Sequence, residues 1–336
     1  MSAAATLRVG LDLDGSLESL GDSMTELADA LTALGGCELV RFHTASTPGP
    51  GERRLALRAL WSPLWRRSLG RAIDRMLPPL DIVHVAGLAT PPTATTPLVI
   101  SVDDLRPLRD ETRIHQRVTQ LKRAVARGAV LVASTRTASH EVLQVLDAPR
   151  SRVLVVPPAV PHVASTIDGH DLVVNVTGLV DRFLTIAPAL SRFCDSHGAR
   201  LVALTSSPAG QQVRSSGVSV AVRARRDARS ALGDARVVLH ISDGARFPSF
   251  AIAALGAGVP TIARATSINR ELLDGAAALM TSDEETLGSL EEIWSSESRR
   301  SIMIAAGRSR AVDFAPATAA RAYAALYRGV VRGWSA

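Results

Sequence analysis

The sequence predicts an α/β protein of two doubly wound, Rossmann-like domains facing a cleft, and three observations carry that expectation. Apolar strand-like runs alternate with stretches of helical periodicity along the whole chain, the pattern of parallel βαβ units. At 336 residues the chain is too long for one ordinary core and suits two. A polar, aperiodic stretch from Pro161 to Gly169 reads as the linker.

Composition narrows the classes. Hydrophobic content of 46% with 21% charged residues indicates a soluble globular chain. No apolar run reaches membrane-span length and no basic region followed by an apolar core opens the chain, so a cytoplasmic protein is expected. Cys37 and Cys194 stand far apart, without a partner at metal-ligand spacing, so neither a disulfide framework nor a zinc site is suggested. The net charge of +6 is carried by arginine, Lys122 being the only lysine. Guanidinium suits phosphate recognition, although compositional bias explains the excess as well. No aromatic platform interleaves the basic residues, so nucleic acid is not an expected partner.

Leu7 to Leu13 reads as the first strand, Asp14-Gly15-Ser16 as a turn, and Met24, Leu27, Ala28, Leu31 and Leu34 as one helix face ended by Gly35-Gly36. Residues 53–77 mix Arg53, Arg58, Arg66, Arg67 and Arg71 with Trp61, Trp65 and leucines. That mixture fits an interfacial helix on anionic lipid, or an amphipathic helix covering the core. Asp81 to Gly87 is a strand entering a loop, and Pro97 to Leu105 is another. Val130 to Ser134, a helix from Thr135 to Leu146, and Val153 to Val160 complete the first domain.

Beyond the linker, Leu172 to Leu179 opens the second domain, followed by strands at Arg200–Thr205 and Val218–Val222. Val237 to Ser242 then leads through Asp243-Gly244-Ala245-Arg246-Phe247-Pro248 into the small-residue run Ser249 to Ala257, which Gly258-Val259-Pro260 stops before a strand at Thr261–Ala263. Small residues let this helix lie close to a sheet, and its N-terminus favours an anion. An ordinary βαβ crossover has the same look. Helices are expected at 284–294, 301–312 and 318–331.

The run from Asp243 to Ala263 resembles the signature of family 4 retaining glycosyltransferases of the GT-B fold, with Phe247, Ala254, Gly256, Gly258, Pro260 and Ala263 on or near the pattern. Its two glutamates fall at Ala245 and Ala253, and its Gly-Phe-Gly reads Arg246-Phe247-Pro248. The resemblance extends to Asp81–His84, to Val99–Leu105, where the family's histidine is Asp103, and to Glu271. It implies residues 1–162 as the acceptor-side domain, 163–315 as the nucleotide-sugar domain, and 316–336 as a helix packing back towards the first.

The function so implied is metal-independent transfer of a sugar, as by a hexosyltransferase, from a nucleotide-sugar donor to a hydroxyl, with retention and no cofactor. The resemblance places Gly178, Arg182, Ser242, Phe247, Pro248, Ser249, Phe250 and Glu271 at the donor. It places Gly15, Ser16 and His84 on the acceptor side. Asp103 and Asp243 are the catalytic candidates. The acceptor is open among a glycan, a lipid-linked glycan, a protein and a metabolite, with membrane contact through residues 53–77 as an option. A non-catalytic relative that only binds is the alternative. A minor alternative comes from Asp12-x-Asp14-Gly15-Ser16, which is similar to the first motif of haloacid-dehalogenase-type phosphohydrolases. Ser134-Thr135, Lys122 and Asp103-Asp104 stand in the wrong order to complete it.

Overall fold

The computed structural model describes residues 6–14, 23–44, 51–55, 58–65, 67, 69–86, 90–102, 108, 114–164, 169–176, 179–205, 207–224, 227–242 and 244–334. Gly15, Ser16, Asp103, Gly178 and Asp243 lie outside them. The chain divides into two compact units. One takes the described residues up to Ala159 and resumes at Pro316; the other spans Val160–Ala315.

The first unit is a parallel sheet of β1 (Leu7–Asp12), β2 (Cys37–His43), β3 (Arg53–Arg54), β4 (Ile82–Val85), β5 (Leu98–Val102), β6 (Val130–Ala133) and β7 (Val153–Val155). Its order is β3-β2-β1-β4-β5-β6-β7. Every residue of β4, β5 and β6 is buried, as continuous apolar strands covered on both faces must be. Helices α1 (Ser23–Leu34), α2 (Arg58–Trp65), α3 (Ile114–Ala126) and α4 (Arg136–Leu146) accompany it. Thr135 caps α4 by accepting from Ala138 N. Strand β2 has no counterpart in the sequence reading, because its charged Glu38 and Arg41 interrupt the apolar run.

A C-terminal helix, Pro316–Trp334, completes this unit. Its Ala320, Tyr323, Ala324 and Tyr327 pack into the cluster that holds Leu27, Ala28 and Leu31 of α1. Here the reading of His84 is corrected. It is not an acceptor-side loop residue but a core residue of β4, 0% exposed, stacked on Tyr323 with ring centroids 5.3 Å apart. Its Nδ1 lies 2.7 Å from Tyr327 Oη and its Nε2 2.9 Å from Ser101 Oγ. Both ring nitrogens are satisfied internally, and burial drives its pKa down to about 3, so it is neutral.

In residues 53–77 the large side chains turn both ways. Leu55, Trp65 and Ile73 are buried, Trp65 Nε1 donates to Arg71 O, and Leu69 is exposed. Among the described residues, no helix is long and apolar enough to cross a membrane.

The second unit contains β8 (Asp171–Val176), α5 (Val180–Ser196), β9 (Arg200–Thr205), α6 (Ser207–Ser215), β10 (Ala221–Ala224), α7 (Ala228–Gly233) and β11 (Ala235–Ile241). It continues with α8 (Ser249–Ala257), β12 (Thr261–Arg264), α9 (Ser267–Leu273), β13 (Ala278–Met280), α10 (Asp283–Ser295) and α11 (Glu297–Ala311). The parallel order is β10-β9-β8-β11-β12-β13. Strand β10 starts at Ala221 rather than Val218, where its pairing with Val202 of β9 begins.

Helix α8 is buried nearly all round, which its small residues permit. A Cβ on Gly307 of α11 would come 3.0 Å from Leu255 Cδ2, and one on Gly256 would meet Ala311 Cβ at 3.3 Å. Gly258 ends α8 in the left-handed conformation, φ +78°, its N–H returning to Ala254 O and Leu255 O.

Candidate functional site

In an open parallel sheet a crevice forms at the carboxyl edge where strand order reverses. In the second unit that point lies between β8 and β11. Ser242 follows β11, and its Oγ accepts from Gly244 N at 3.1 Å. Gly244 has φ +69°, and a Cβ on it would lie 2.8 Å from Thr266 Cβ, so only glycine fits both the backbone and the gap. Thr266 in turn caps α9 by accepting from Asn269 N.

Ala245, Arg246, Phe247, Ser249 and Phe250 are all buried. Phe247 stands edge-on to Phe314 at 5.7 Å, and the Arg310 guanidinium lies 5.1 Å over Phe314. Pro248 caps α8 without a side-chain bond, and the first helical bond runs from Ile252 N to Pro248 O. Helix geometry therefore leaves the Phe250 and Ala251 N–H groups without intrahelical acceptors, at the positive end of the dipole. This is the anion-favouring helix start expected from the sequence.

Sequence reasoning passed over Arg246 as a functional group. It is 8% exposed, and burial lowers its pKa to about 10, which still leaves it charged at neutral pH. A lone arginine within a run of small and apolar residues was the available signal. Asn175 and His240, facing each other across β8 and β11, add a buried polar pair, Asn175 Nδ2 lying 3.4 Å from His240 Nδ1.

Arg182 sits in the first turn of α5, where the structure pairs it with Asp283 at the start of α10, Nη2 to Oδ1 2.7 Å. Both are about one-third exposed, at 33% and 35%. They border a shallow surface recess that Ile241, Arg264 and Met280 also line. Glu271 lies on α9, half-buried, and its backbone oxygen accepts from Arg310 Nη2 at 3.0 Å. Ala245 and Ala253 are 1% and 2% exposed, so apolar surface is packed at both positions where the resemblance places carboxylates.

In the first unit the reversal lies between β1 and β4, at Asp12. Its carboxyl group is 0% exposed; Oδ1 accepts from Thr44 N and Asp14 N, and Oδ2 lies 2.8 Å from Thr44 Oγ1. Burial first, and the Asp14 charge second, raise its pKa to about 7. A carboxyl so enclosed has no open face for attack on phosphorus, which removes the support for the phosphohydrolase alternative. Among the described residues, no group of three or more His, Cys, Asp or Glu is placed to hold a metal ion.

No family model and no curated protein matches the chain. Solved structures do. The avilamycin A biosynthesis glycosyltransferase AviGT4 is 17% identical, with a TM-score of 0.60 over 97% of this chain and 98% of its own. HepE from Anabaena, solved with UDP and glucose, is 13% identical, with a TM-score of 0.67 over 96% and 99%. The sucrose-phosphate synthase of Thermosynechococcus elongatus is 14% identical, with a TM-score of 0.66 over 97% and 99%. With two doubly wound parallel sheets of this order and likeness along the whole of these neighbours, the chain has the GT-B fold.

Proposed function

We propose that this protein is a glycosyltransferase that moves a sugar from a nucleotide-sugar donor to an acceptor hydroxyl, with retention and without a metal, as a divergent relative of family 4. The observation that carries this reading is the uncapped N-terminus of α8, set at the carboxyl edge of β11 behind the Ser242–Pro248 loop. The fold's neighbours support it, since HepE is solved with UDP-glucose. In this reading the Phe250 and Ala251 N–H groups and the Arg182 guanidinium stabilise the leaving diphosphate. Ser242, Ser249 and Asp243 supply hydrogen bonds where the carboxylates are missing, and Asp103 takes the acceptor proton. The second domain carries the donor, the first carries the acceptor, and residues 316–336 belong with the first. A cytoplasmic site with membrane contact through residues 53–77 suits a lipid-linked acceptor.

A second reading, a glycosyltransferase-like protein that binds without turnover, is favoured by the buried apolar Ala245 and Ala253. One experiment separates the two. Thermal unfolding is recorded with UDP, GDP, ADP and dTDP and their sugar conjugates, and sugar release from any ligand that raises the midpoint is then followed. A midpoint rise with slow sugar release supports the transferase. A rise without release supports the binder. No rise with any nucleotide overturns the transferase and leaves a non-catalytic partner protein.

A further inference from the structure

The rim of the first sheet holds a linked set of ionisable groups that the proposed transfer does not use. Asp12 ends β1 and Asp14 follows two residues later. His43 ends β2, Thr44 follows it, and Glu52 immediately precedes the edge strand β3. His43 Nδ1 lies 3.1 Å from Asp14 Oδ1, and His43 Nε2 lies 2.7 Å from Glu52 Oε2. Thr44 Oγ1 lies 2.8 Å from Asp12 Oδ2 and 3.1 Å from Asp14 Oδ2. The His43, Asp14 and Glu52 side chains are only 10%, 7% and 18% exposed.

The geometry counts the protons. Ionised carboxylates only accept, so an imidazole facing one at each nitrogen needs a proton on both and is an imidazolium. Thr44 has a single hydroxyl proton for two carboxylate oxygens. Both contacts become hydrogen bonds when the Asp12 carboxyl donates to Thr44 Oγ1 and the Thr44 hydroxyl donates to Asp14. Those two protons remove two units of negative charge from a largely buried site, where repulsion is weakly screened.

We propose that Asp12, Thr44, Asp14, His43 and Glu52 form a proton-operated clasp that fastens the edge strand β3 to the middle of this sheet and releases it as pH rises through neutrality. Strand β3 is two residues long, with Phe42 paired to Arg53 and His43 to Arg54, and the His43–Glu52 contact adds a side-chain tie beside it. Several other charges on the surrounding elements have partners of their own. Arg8 pairs with Glu38, Arg41 with Asp29 of α1, and His84 of β4 with Ser101 and Tyr327. Arg53 is exposed.

The direction of the pKa shifts agrees. Burial opposes the charge on His43, but the hydrogen bonds and charges of Asp14 and Glu52 outweigh it and hold the pKa above the usual histidine value. Asp12 is raised to about 7. Both groups bind protons more tightly folded than unfolded. Their stabilisation is therefore complete at low pH: the Asp12 part is lost from the ordinary carboxylate range up through about 7, and the His43 part as pH passes the raised histidine value.

The clasp is tested on the intact chain by the side-chain nitrogen signals of His43, assigned by their loss in His43→Gln, and by tryptic cleavage after Arg53. Cleavage is scaled to a peptide of the same sequence at each pH. The expected result is an imidazolium persisting above pH 6.5 and cleavage rising roughly tenfold between pH 6 and 8.5, with most of that rise absent in Asp12→Asn and Glu52→Gln. A His43 titration at or below the ordinary histidine value overturns the proposal. So does an unchanged cleavage profile in both variants.

Discussion

His84 of β4 and Tyr327 of the C-terminal helix, 243 residues apart in sequence, share a hydrogen bond of 2.7 Å inside the first unit. Both side chains are 0% exposed, so neither can exchange this partner for water. Tyr327→Phe keeps the ring and strands one imidazole nitrogen. The expected loss is about 1–3 kcal/mol of unfolding free energy, read from urea midpoints. A change under about 0.5 kcal/mol, the size of an ordinary surface substitution, would show that the bond contributes nothing net.

The same histidine gives the unit an acid limb. His84 is neutral when folded, its pKa pushed by burial from 6.5 to about 3. The unfolded chain takes up a proton there that the folded chain refuses. Its contribution is thus intact above pH 6.5 and declines as pH falls from 6.5 towards 3. His84→Gln should lose less stability than the wild type between pH 7 and 4.5. Equal losses in the two proteins would refute the assignment.

Gly244→Ala should destabilise by about 1–3 kcal/mol, because it combines a left-handed backbone with a collision against Thr266. Thr266→Ser in the Gly244→Ala background should recover part of that loss, since it removes the methyl that a Cβ would meet at 3.1 Å while keeping the α9 cap. Thermal midpoints of the two variants decide it.

Arg182 is held by Asp283, so a bound diphosphate has to compete with that carboxylate. On the proposed function, Arg182→Ala weakens binding of a nucleoside diphosphate by about ten- to a hundredfold, the loss of one charge-assisted contact. Asp283→Asn tightens it severalfold. Calorimetric titration of both variants checks the pair. Equal affinities throughout would remove Arg182 from the donor site.

What the sequence made legible follows from how local the determinants were. Strands β4 and β5 are mostly apolar runs, each with one polar residue, and the turn, helix and strand from Gly244 to Ala263 are written in glycine, proline and alanine spacing. Strand β2 was hidden because Glu38 and Arg41 serve partners on β1 and α1. His84 was misread because its environment is set by Tyr327, far along the chain. The resemblance singled out Arg182, but its partner Asp283 lies 101 residues on and no local pattern announces it. The rim cluster was half visible: Asp12 and Asp14 form a motif, whereas His43 and Glu52 join them only when β2 and β3 line up alongside.

The chain leaves the first unit at Ala159 and re-enters it at Pro316, and this order has a consequence for synthesis. Domains fold largely as units as they emerge from the ribosome. The second unit, uninterrupted from Val160 to Ala315, is complete in the chain before the first, although it starts later. Until the last helix emerges, His84, Leu27 and Leu31 lack the helix that covers them. A ribosome stalled before Pro316 would therefore present a finished second unit and, on the first, an apolar face that invites chaperones.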